Sequence, residues 1–254
     1  MLKLDLAGKV AVVTGATGQL GRVMARTLAD CGADVAVHYH RNAAMAEELA
    51  AQIRGMGRRA LPVQADVGDL ASVLAMRDAV RQGLGDPEVV VTNAVGQYEW
   101  TSVLEQSNAD YETEFRTCVL HNVNMAKAFV PAMQARGWGR FIATNTECSM
   151  QAFPGQSAYI SGKRGMDGVL RVLAKEIGGS GITVNQVAPG WTVSDKDRRA
   201  GTERQPEYEA RVPLQRRGTD QDIANAVAFL ASDLAAFITG VYLPVCGGNV
   251  MPCI

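Results

Sequence analysis

Short apolar runs alternate with longer stretches that carry a single apolar stripe. The runs at residues 10–13 and 89–91 are continuously apolar and end in Thr-Gly and Thr-Asn-Ala, a pattern typical of strands buried on both faces of a sheet. Between such runs, apolar residues return every three or four positions, which predicts amphipathic helices. Similar runs predict further strands at residues 35–37, 141–143, 183–187 and 241–243, and the run at 60–64 leads to Asp66.

The predicted helices lie between the strands, one at a time. One long helix is marked by apolar residues across positions 115–130 and another across 166–177, and Thr219 or Asp220 is a suitable cap for the last helix. Strands joined by single helices form a parallel sheet with helices on both faces. The sequence therefore predicts an α/β fold, a doubly wound parallel sheet, in a single domain spanning residues 1–254.

One polar stretch interrupts this alternation. Residues 194–210 are rich in Asp, Arg, Glu and Gln and follow the strand predicted at 183–187. Long loops in compact domains often close over binding sites, so we predict a substrate lid around residues 191–212. The alternative is an ordinary solvated helix.

Composition narrows the class of protein. The chain has 254 residues, 47% hydrophobic and 20% charged, with a net charge of −1. This length provides a substantial core, and the charge gives no support for nucleic acid or a membrane as a partner. Five widely spaced cysteines and three scattered histidines favour reduced thiols in a cytoplasmic protein and no metal site. The chain shows neither a bilayer-spanning apolar run nor the apolar core of a signal peptide at its start.

Tyr159 and Lys163 are the most informative pair of residues. Their i, i+4 spacing places both side chains on one face of a helix. A phenol titrates near pH 10, and a nearby ammonium favours its ionised form, so we expect Lys163 to lower the pKa of Tyr159. Such a phenol can exchange a proton near neutral pH, as the reduction of a carbonyl or the oxidation of an alcohol requires.

A glycine-rich turn joins the first strand to the first helix. Gly15, Gly18 and Gly21 lie in the run Thr-Gly-Ala-Thr-Gly-Gln-Leu-Gly at residues 14–21. Backbone N–H groups at a helix N-terminus can hold a pyrophosphate, and glycine lets the ligand approach the backbone. The strand before the turn and the amphipathic helix after it favour a dinucleotide site over a simple tight turn.

Together these motifs resemble those of the compact branch of the short-chain dehydrogenases/reductases, which implies a Rossmann-like fold over nearly the whole chain. Gln19 stands where this branch has its middle glycine, and Val95 replaces the glycine of the Asn-Asn-Ala-Gly signature. The motifs that occur in the family's order are the glycine turn, Asp66-Val67, Asn93-Ala94, Tyr159 with Lys163, Asn185, Pro189-Gly190, and Thr239-Gly240 followed by Gly247-Gly248.

The resemblance assigns cofactor-binding roles to residues in these motifs. It implies a glycine turn formed by Gly15, Thr17, Gln19, Leu20 and Gly21, an adenine contact from Asp66 and Val67, a ribose site lined by Asn93, Ala94, Tyr159 and Lys163, and a nicotinamide bordered by Pro189, Gly190 and Thr192.

The end of the second strand indicates which dinucleotide binds. Enzymes that prefer NAD usually place an acidic residue here for the ribose 2′-hydroxyl, whereas this chain has Tyr39, His40 and Arg41. No carboxylate repels a 2′-phosphate at this place, and Arg41 can pair with one. We predict NADP as the cofactor, with NAD as the other possibility. The alternative is that residues 39–41 form a basic patch that faces solvent and binds no cofactor.

The resemblance also completes the catalytic group. It implies that Tyr159 is the general acid or base and that Lys163 lowers its pKa and holds the nicotinamide ribose. The family's serine, thirteen residues before Tyr159, is Thr146 in this chain. Its hydroxyl still donates and accepts hydrogen bonds, so we expect it to orient the substrate oxygen.

A fourth family position is altered more strongly. The family's helix asparagine, thirteen residues before Pro131, is Cys118 here, and a cysteine lacks the amide carbonyl that anchors the water of a proton relay. One interpretation is a relay rerouted through Asn122 or His121. The other is a buried cysteine that packs as a small apolar residue.

The resemblance implies a substrate pocket formed by the segments after Asn93, after Thr146 and after Pro189-Gly190, where this chain combines aromatic and polar side chains. They suit a sugar, a polyol or a cyclic ketone, with Glu147 accepting hydrogen bonds from hydroxyls; the alternative places Glu147 in solvent and Trp191 against the lid. The expected residues are Gln97, Tyr98, Trp100, Glu147, Met150, Gln151, Phe153 and Trp191.

The sequence thus predicts an NADP-dependent oxidoreductase that reduces a small ketone or oxidises the matching secondary alcohol. A cofactor-binding protein with little or no dehydrogenase activity is the alternative, supported by the departures at Gln19, Val95, Cys118 and Thr146. Epimerisation or dehydration on the same fold is a third possibility. The resemblance implies a homotetramer.

We expect two surfaces to form the interfaces of that tetramer. They are the helix with Met166 and Leu170, and the C-terminal end at residues 244–254, where Val250, Met251 and Ile254 are apolar.

Overall fold

A parallel sheet of seven strands forms the centre of the described residues, 4–96 and 98–252, of the computed structural model. The strands lie in the order β3-β2-β1-β4-β5-β6-β7, and every neighbouring pair is parallel. This arrangement confirms the predicted doubly wound α/β fold. The strands are β1 (Val10–Val13), β2 (Asp34–Tyr39), β3 (Ala60–Gln64), β4 (Val89–Thr92), β5 (Gly139–Thr144), β6 (Ile182–Pro189) and β7 (Tyr242–Val245).

Helices cover both faces of the sheet. They are α1 (Gln19–Asp30), α2 (Ala43–Gly55), α3 (Leu70–Gly83), α4 (Asn108–Glu114), α5 (His121–Arg136), α6 (Cys148–Gln151), α7 (Ser157–Ile177), α8 (Asp195–Ala200), α9 (Pro206–Glu209) and α10 (Asp220–Ala231). Helices α1, α2 and α10 pack on one face, and α3, α5 and α7 pack on the other. Within the described residues, no helix combines the length and the apolar character needed to cross a membrane.

Alternation along β1 explains how one short strand serves both cores. Ala11 and Val13 point into the cluster with α1 and α10, while Val10 and Val12 point into the cluster with α5 and α7. Successive side chains of a strand face opposite sides of a sheet, so a strand covered on both sides must be apolar throughout.

The long helix predicted across residues 115–130 is not one continuous α-helix. Helix α4 ends at Glu114, a π-helical turn follows at Phe115–Leu120, and α5 begins at His121. The wider turn changes the direction of the side chains, so that Phe115, predicted to be on the apolar stripe, is 52% exposed. Apolar residues at helical spacing do not distinguish one α-helix from two that are joined by a single π turn, so the sequence did not predict this break.

That α7, the helix with Met166 and Leu170, supplies interface surface stays a prediction, and these two residues are not on its exposed side. Both side chains are 1% exposed and lie in the core between α7 and the sheet, whereas Val172 of the same helix is 56% exposed. At the C-terminal end, Met251 is 72% exposed, and Ile254 lies outside the described residues.

The predicted lid segment, residues 191–212, contains the short helices α8 and α9. Arg217 fixes its start by donating to the Thr192 carbonyl at 2.6 Å and to the Asp197 carboxylate at 2.8 Å. Downstream, α10 begins with a capping box in which Thr219 and Asp222 satisfy each other's backbone, which decides between the two predicted caps. That the segment acts as a lid stays a prediction.

Candidate active site

A cavity of about 920 Å³ opens at the carboxyl ends of the strands. It lies where β1 and β4 are neighbours although β2 and β3 separate them along the chain. Ligands of open parallel sheets bind at such switch points because the loops diverge there. The predicted site residues that line it are Leu20, Asn93, Thr146, Tyr159, Lys163, Pro189, Gly190 and Thr192.

The turn between β1 and α1 fits a pyrophosphate. Helix α1 has no side-chain cap at Gly18 and no acidic residue in its first turn, so its first N–H groups lack helical partners and can bind an anion. Gly15 has a φ of 61°, and a Cβ there would lie 2.9 Å from the Ala94 Cα. A Cβ on Gly21 would lie 2.2 Å from the Gly15 carbonyl oxygen. Glycine is therefore required at both positions.

Gln19, the predicted point of departure from the family, joins the turn to the segment after β6. Its side-chain amide donates to the Val193 carbonyl at 2.6 Å, and its Oε1 accepts the Asp195 N–H at 3.0 Å. Arg22 forms an ion pair with Asp195 and donates to the Thr17 carbonyl at 3.3 Å. A glycine at position 19 could make neither of the two Gln19 contacts, to Val193 and to Asp195.

The loop after β4 is held by Thr14. Its hydroxyl accepts the N–H groups of Asn93 at 2.8 Å and Ala94 at 3.2 Å, and the Asn93 amide donates to the Thr14 carbonyl at 3.2 Å. The Thr144 hydroxyl donates to Asn93 Oδ1 at 3.3 Å. Asn93 is thus fixed where it lines the cavity, and its contact with a cofactor ribose stays a prediction.

Tyr39, His40 and Arg41 lie at the end of β2, with His40 and Arg41 exposed. The residue before them, His38, was not predicted to have a role at the site. Its Nδ1 accepts the Gly15 N–H at 2.9 Å, and its Nε2 lies 3.1 Å from the Ala65 carbonyl. Burial lowers the pKa of His38 to about 4. A neutral imidazole can accept from Gly15, so His38 supports the glycine turn.

Asp66 and Val67 follow β3 at the same edge of the sheet, outside the lining of the cavity. The Asp66 carboxylate accepts the Gly68 N–H at 2.8 Å and pairs with Arg116 at 3.3 Å. Val67 is buried, and its carbonyl accepts from Asn124 at 3.1 Å. Their predicted contact with an adenine stays a prediction.

Thr146, Tyr159 and Lys163 meet at the inner wall of the cavity. Lys163 Nζ lies 5.7 Å from the centroid of the Tyr159 ring and donates to the Thr144 carbonyl at 2.6 Å. The Tyr159 N–H donates to the Tyr98 hydroxyl at 2.7 Å, which fixes the start of α7. Three groups that can hold, protonate and polarise an oxygen therefore share one space.

The expected lowering of the Tyr159 pKa is not found. Loss of hydration in the cleft raises the pKa of Tyr159, and the hydrogen bond to Thr146 opposes that rise only in part. The i, i+4 spacing correctly predicted that Lys163 lies near the Tyr159 ring. It could not show that the Lys163 ammonium donates to the Thr144 carbonyl.

Cys118 is 1% exposed and its thiol donates to Glu114 at 3.4 Å. Both ends of the Asn122 side-chain amide have partners, because Nδ2 donates to the Cys118 carbonyl at 2.6 Å and Oδ1 accepts the Thr92 hydroxyl at 2.7 Å. Burial lowers the pKa of His121 to about 3, so this imidazole is neutral near pH 7. These contacts favour a packed cysteine over a relay through Asn122.

The outer wall of the cavity is built around Glu147, which is 3% exposed, so its predicted placement in solvent is wrong. Its carboxylate accepts the Tyr208 hydroxyl at 2.9 Å and the Asn249 amide at 3.0 Å. Tyr208 also accepts the Trp191 N–H at 2.9 Å, and the two rings meet edge to face. Trp191 therefore packs against α9, the second helix of the lid segment.

The predicted substrate residues divide between this wall and other places. Trp100, Glu147, Gln151, Phe153 and Trp191 line the cavity. Tyr98 and Met150 do not, and Gln97 lies outside the described residues. Sequence reasoning missed further lining residues, namely Asn145, Cys148, Gln156, Tyr208, Arg211 and Asn249.

Asn145 shows why such residues are missed. Its amide donates to Gln186 at 2.6 Å and to the Lys163 carbonyl at 3.2 Å, and its Oδ1 accepts the Thr146 N–H at 2.9 Å. It positions two predicted catalytic residues, and its place just after a strand was the only signal in the sequence. Among residues 4–96 and 98–252, no group of three His, Cys, Asp or Glu side chains is placed to hold a metal ion.

Similarity to known proteins decides the family. A family model described as enoyl-(acyl carrier protein) reductase matches residues 15–249. The 3-oxoacyl-(acyl-carrier-protein) reductase FabG of Pseudomonas aeruginosa is 34% identical over 248 residues, which cover 98% of this chain and 100% of that protein. This protein belongs to the short-chain dehydrogenase/reductase family. The predicted membership is confirmed, and the protein is an NAD(P)-dependent oxidoreductase of that family.

Solved structures agree with this assignment. A blue fluorescent protein from a metagenomic library, in complex with NADPH, matches with a TM-score of 0.89 and 34% identity, covering 97% of this chain and 100% of that one. A gluconate 5-dehydrogenase from Burkholderia cenocepacia, in complex with NADP and tartrate, matches with a TM-score of 0.89 and 28% identity, covering 97% of both chains.

Proposed function

We propose that this short-chain dehydrogenase/reductase reduces a small ketone with NADPH, or oxidises the matching secondary alcohol with NADP, using Tyr159 as general acid or base. The observation that carries the proposal is the meeting of Thr146, Tyr159 and Lys163 in one cavity with Asn93 and Gly190. The bound nicotinamide supplies or accepts the hydride.

Each residue of this group has a distinct task. The Thr146 hydroxyl holds the substrate oxygen, and the Tyr159 phenol gives that oxygen a proton as the carbonyl is reduced. Lys163 places a positive charge beside the phenolate that forms and thereby stabilises it. In the reverse direction the phenolate removes the proton of the alcohol.

NADP is supported by Arg41 and by the absence of a carboxylate at residues 39–41, since a guanidinium binds phosphate in a fixed, paired geometry. The structural neighbours in complex with NADPH and with NADP support the same choice. The open N-terminus of α1 provides the place for the pyrophosphate.

The outer wall supports a substrate that carries hydroxyl groups. Glu147 contributes carboxylate oxygens there, and the side-chain oxygens of Gln151 and Gln156 have no partner among the described residues. Buried acceptors without donors are costly, and a hydroxylated ketone would satisfy them. Trp100 and Trp191 supply apolar surface beside them.

The test is turnover with purified protein. NADPH and NADH are titrated by fluorescence, and the loss of NADPH is then followed with diacetyl, ethyl acetoacetate, cyclohexanone and fructose. We expect NADPH to bind more tightly than NADH and at least one of these ketones to be reduced. A higher kcat/KM with NADH would contradict the cofactor choice.

Arg41→Ala tests the contact to the 2′-phosphate. Loss of a charged hydrogen bond costs about 1.5–3 kcal/mol, so the Kd for NADPH should rise about 10- to 100-fold while that for NADH stays unchanged. Arg54→Ala, at an exposed arginine that pairs with Glu47 on α2, is the matched control. Equal losses for both cofactors would show that Arg41 does not read the phosphate.

A cofactor-binding protein with little activity is the second candidate. It is favoured by burial, which raises the pKa of Tyr159, and by a cysteine at position 118. Tight NADPH binding without turnover of any ketone in the panel would support this candidate instead.

The homotetramer and the cytoplasmic location also stay predictions. Exposed apolar residues such as Phe115, Val172 and Met251 offer surface for contacts between copies. Light scattering at micromolar concentration should give the mass of a tetramer, and a monomer would contradict it.

A further inference from the structure

Glu114 is a buried carboxyl group on a segment that packs against α7, the helix of the catalytic pair. It ends α4, its exposed fraction is 0%, and it directly precedes the π-helical turn. Acidic side chains are almost never fully buried without a strong partner, because burial penalises the charge. Single π turns inside helices are frequent at functional sites. The steps described above make no use of this residue.

The Glu114 carboxyl has one weak partner and one free oxygen. Its Oε2 accepts the Cys118 thiol at 3.4 Å, while Oε1 has no hydrogen-bond partner among the described residues. A Cβ on Gly96 would lie 2.9 Å from Oε1, and one on Gly162 would lie 2.9 Å from the Glu114 carbonyl oxygen. Glycines on two sides thus make room for Glu114, and Gly162 is the residue before Lys163.

The close packing of Gly162 on Glu114 brings this residue near Lys163, the next residue of α7, and the charges of these groups act on one another. Burial raises the pKa of Glu114, and the thiol of Cys118 and the ammonium of Lys163 act in the opposite direction. Glu114 in turn adds to the effect of burial in raising the pKa of Tyr159. The titratable groups that act on it or feel its charge are Cys118, Lys163, Asp110, Tyr98 and Tyr159.

We propose that Glu114 resupplies the proton that Tyr159 gives to the substrate, a role that rests on the function proposed above. In reduction, the Tyr159 O–H bond breaks and the substrate O–H bond forms. A proton from Lys163 restores the Tyr159 hydroxyl. The Glu114 carboxylic acid then restores the Lys163 ammonium and becomes a carboxylate. Solvent returns one proton to Glu114 after product release, so the site regains its charge after each cycle.

Glu114→Gln separates this role from a structural one. Glutamine keeps the volume and an acceptor for Cys118 but cannot supply a proton, and Glu112→Gln, at an exposed residue of α4, is the matched control. The first turnover uses the proton already on Tyr159. Stopped flow measures this first turnover with NADPH and the ketone of the panel that is reduced fastest. The first-turnover rate of Glu114→Gln should stay within about threefold of the wild-type rate.

Later turnovers need the resupplied proton. We expect the steady-state kcat of Glu114→Gln to fall about 10- to 100-fold with KM unchanged, and the Glu112→Gln control to match the wild type. Adding Cys118→Asn, which restores the family's amide, should recover most of kcat. Thermal unfolding of each variant verifies that the fold is kept.

Two results would overturn the role of Glu114. One is an unchanged kcat in Glu114→Gln, and the other is an equal loss in the first and later turnovers, which indicates a structural role. If the wild type itself reduces no ketone, the proposed function fails together with this inference. A wild type that turns over beside an equally active Glu114→Gln overturns this inference alone.

Discussion

Single residues carry the chemistry of this site, and Thr146 shows how a departure from the family can preserve it. The threonine is 7% exposed, lines the cavity and is within hydrogen-bonding reach of Tyr159. The Tyr242 hydroxyl donates to its carbonyl, and the Asn145 side chain accepts its N–H, so its backbone is held from two sides. The hydroxyl is therefore positioned, and the extra methyl group restricts its rotation.

Thr146→Ala and Thr146→Ser form a matched pair. Loss of one positioned hydrogen-bond donor at a developing oxyanion costs about 100-fold in kcat or more, so Thr146→Ala should fall by at least this factor. Thr146→Ser keeps the hydroxyl and should stay within about threefold of the wild type. Steady-state kinetics with NADPH measures both, and a fully active Thr146→Ala would exclude the assigned role.

The sequence predicted where Tyr159 and Lys163 lie but not how the pKa of Tyr159 shifts. An i, i+4 spacing brings the two residues to one wall of the cavity, as expected from helix geometry. The direction of the shift in the Tyr159 pKa depends on hydration and on the orientation of the ammonium. Neither is a property of spacing along the chain.

Individual elements were predicted best where burial alone determines the pattern. β1 and β4 are buried on both faces and were visible as apolar runs, because every side chain of a central parallel strand meets a core. The π-helical turn between α4 and α5 and the short helices α8 and α9 were not visible. Their shape depends on contacts with distant residues, such as the bonds from Arg217 to the lid segment.

Tyr208→Phe tests how the lid segment is attached. The Tyr208 hydroxyl bridges the Trp191 N–H and the Glu147 carboxylate, and its loss leaves both without this partner. An unsatisfied buried polar group costs about 1–3 kcal/mol, so the free energy of unfolding should fall by that amount and KM for the ketone should rise.

Urea unfolding and steady-state kinetics measure the two effects. Tyr111→Phe is the matched control, because it removes a hydroxyl that bonds Ser157 at 2.7 Å without lining the cavity. If Tyr208→Phe leaves both stability and KM as they are, the bridge does not hold the segment.

At the scale of the whole molecule, the order of the strands assembles the site. β1 lies between β2 and β4, so the glycine turn, the loop after β4 and the residues after β5 and β6 meet at one edge. Alternating strands and helices allow this order to be expected from the sequence. Contacts between distant segments, such as Glu147 with Asn249 and Gln19 with Val193, are set by the packed fold and carry no local signal.

The stability of the molecule should depend on pH through its buried histidines. The pKa of His38 in the folded protein is about 4, below the value near 6.5 expected when unfolded. The contribution of His38 to the free energy of unfolding is complete above pH 6.5. It decreases by about 1.4 kcal/mol per pH unit as the pH falls toward 4. His121 acts in the same direction, whereas burial raises the pKa values of Glu114 and Glu147, which opposes the trend.

His38→Asn isolates this contribution. The difference between its free energy of unfolding and that of the wild type should shrink as the pH falls from about 6.5 to about 4, because asparagine does not titrate. His40→Asn, at an exposed position, should keep the pH dependence of the wild type. Parallel curves for His38→Asn and wild type would show that His38 does not remain neutral in the fold.

The most direct test of the whole account is the rate of NADPH oxidation by Tyr159→Phe beside the wild type, with a ketone that the wild type reduces. Phenylalanine keeps the ring against Lys163 and removes only the hydroxyl that exchanges the proton. The account predicts a kcat at least about 100-fold lower, with NADPH binding within about threefold of the wild type. A Tyr159→Phe variant that reduces the ketone at nearly the wild-type rate would contradict it.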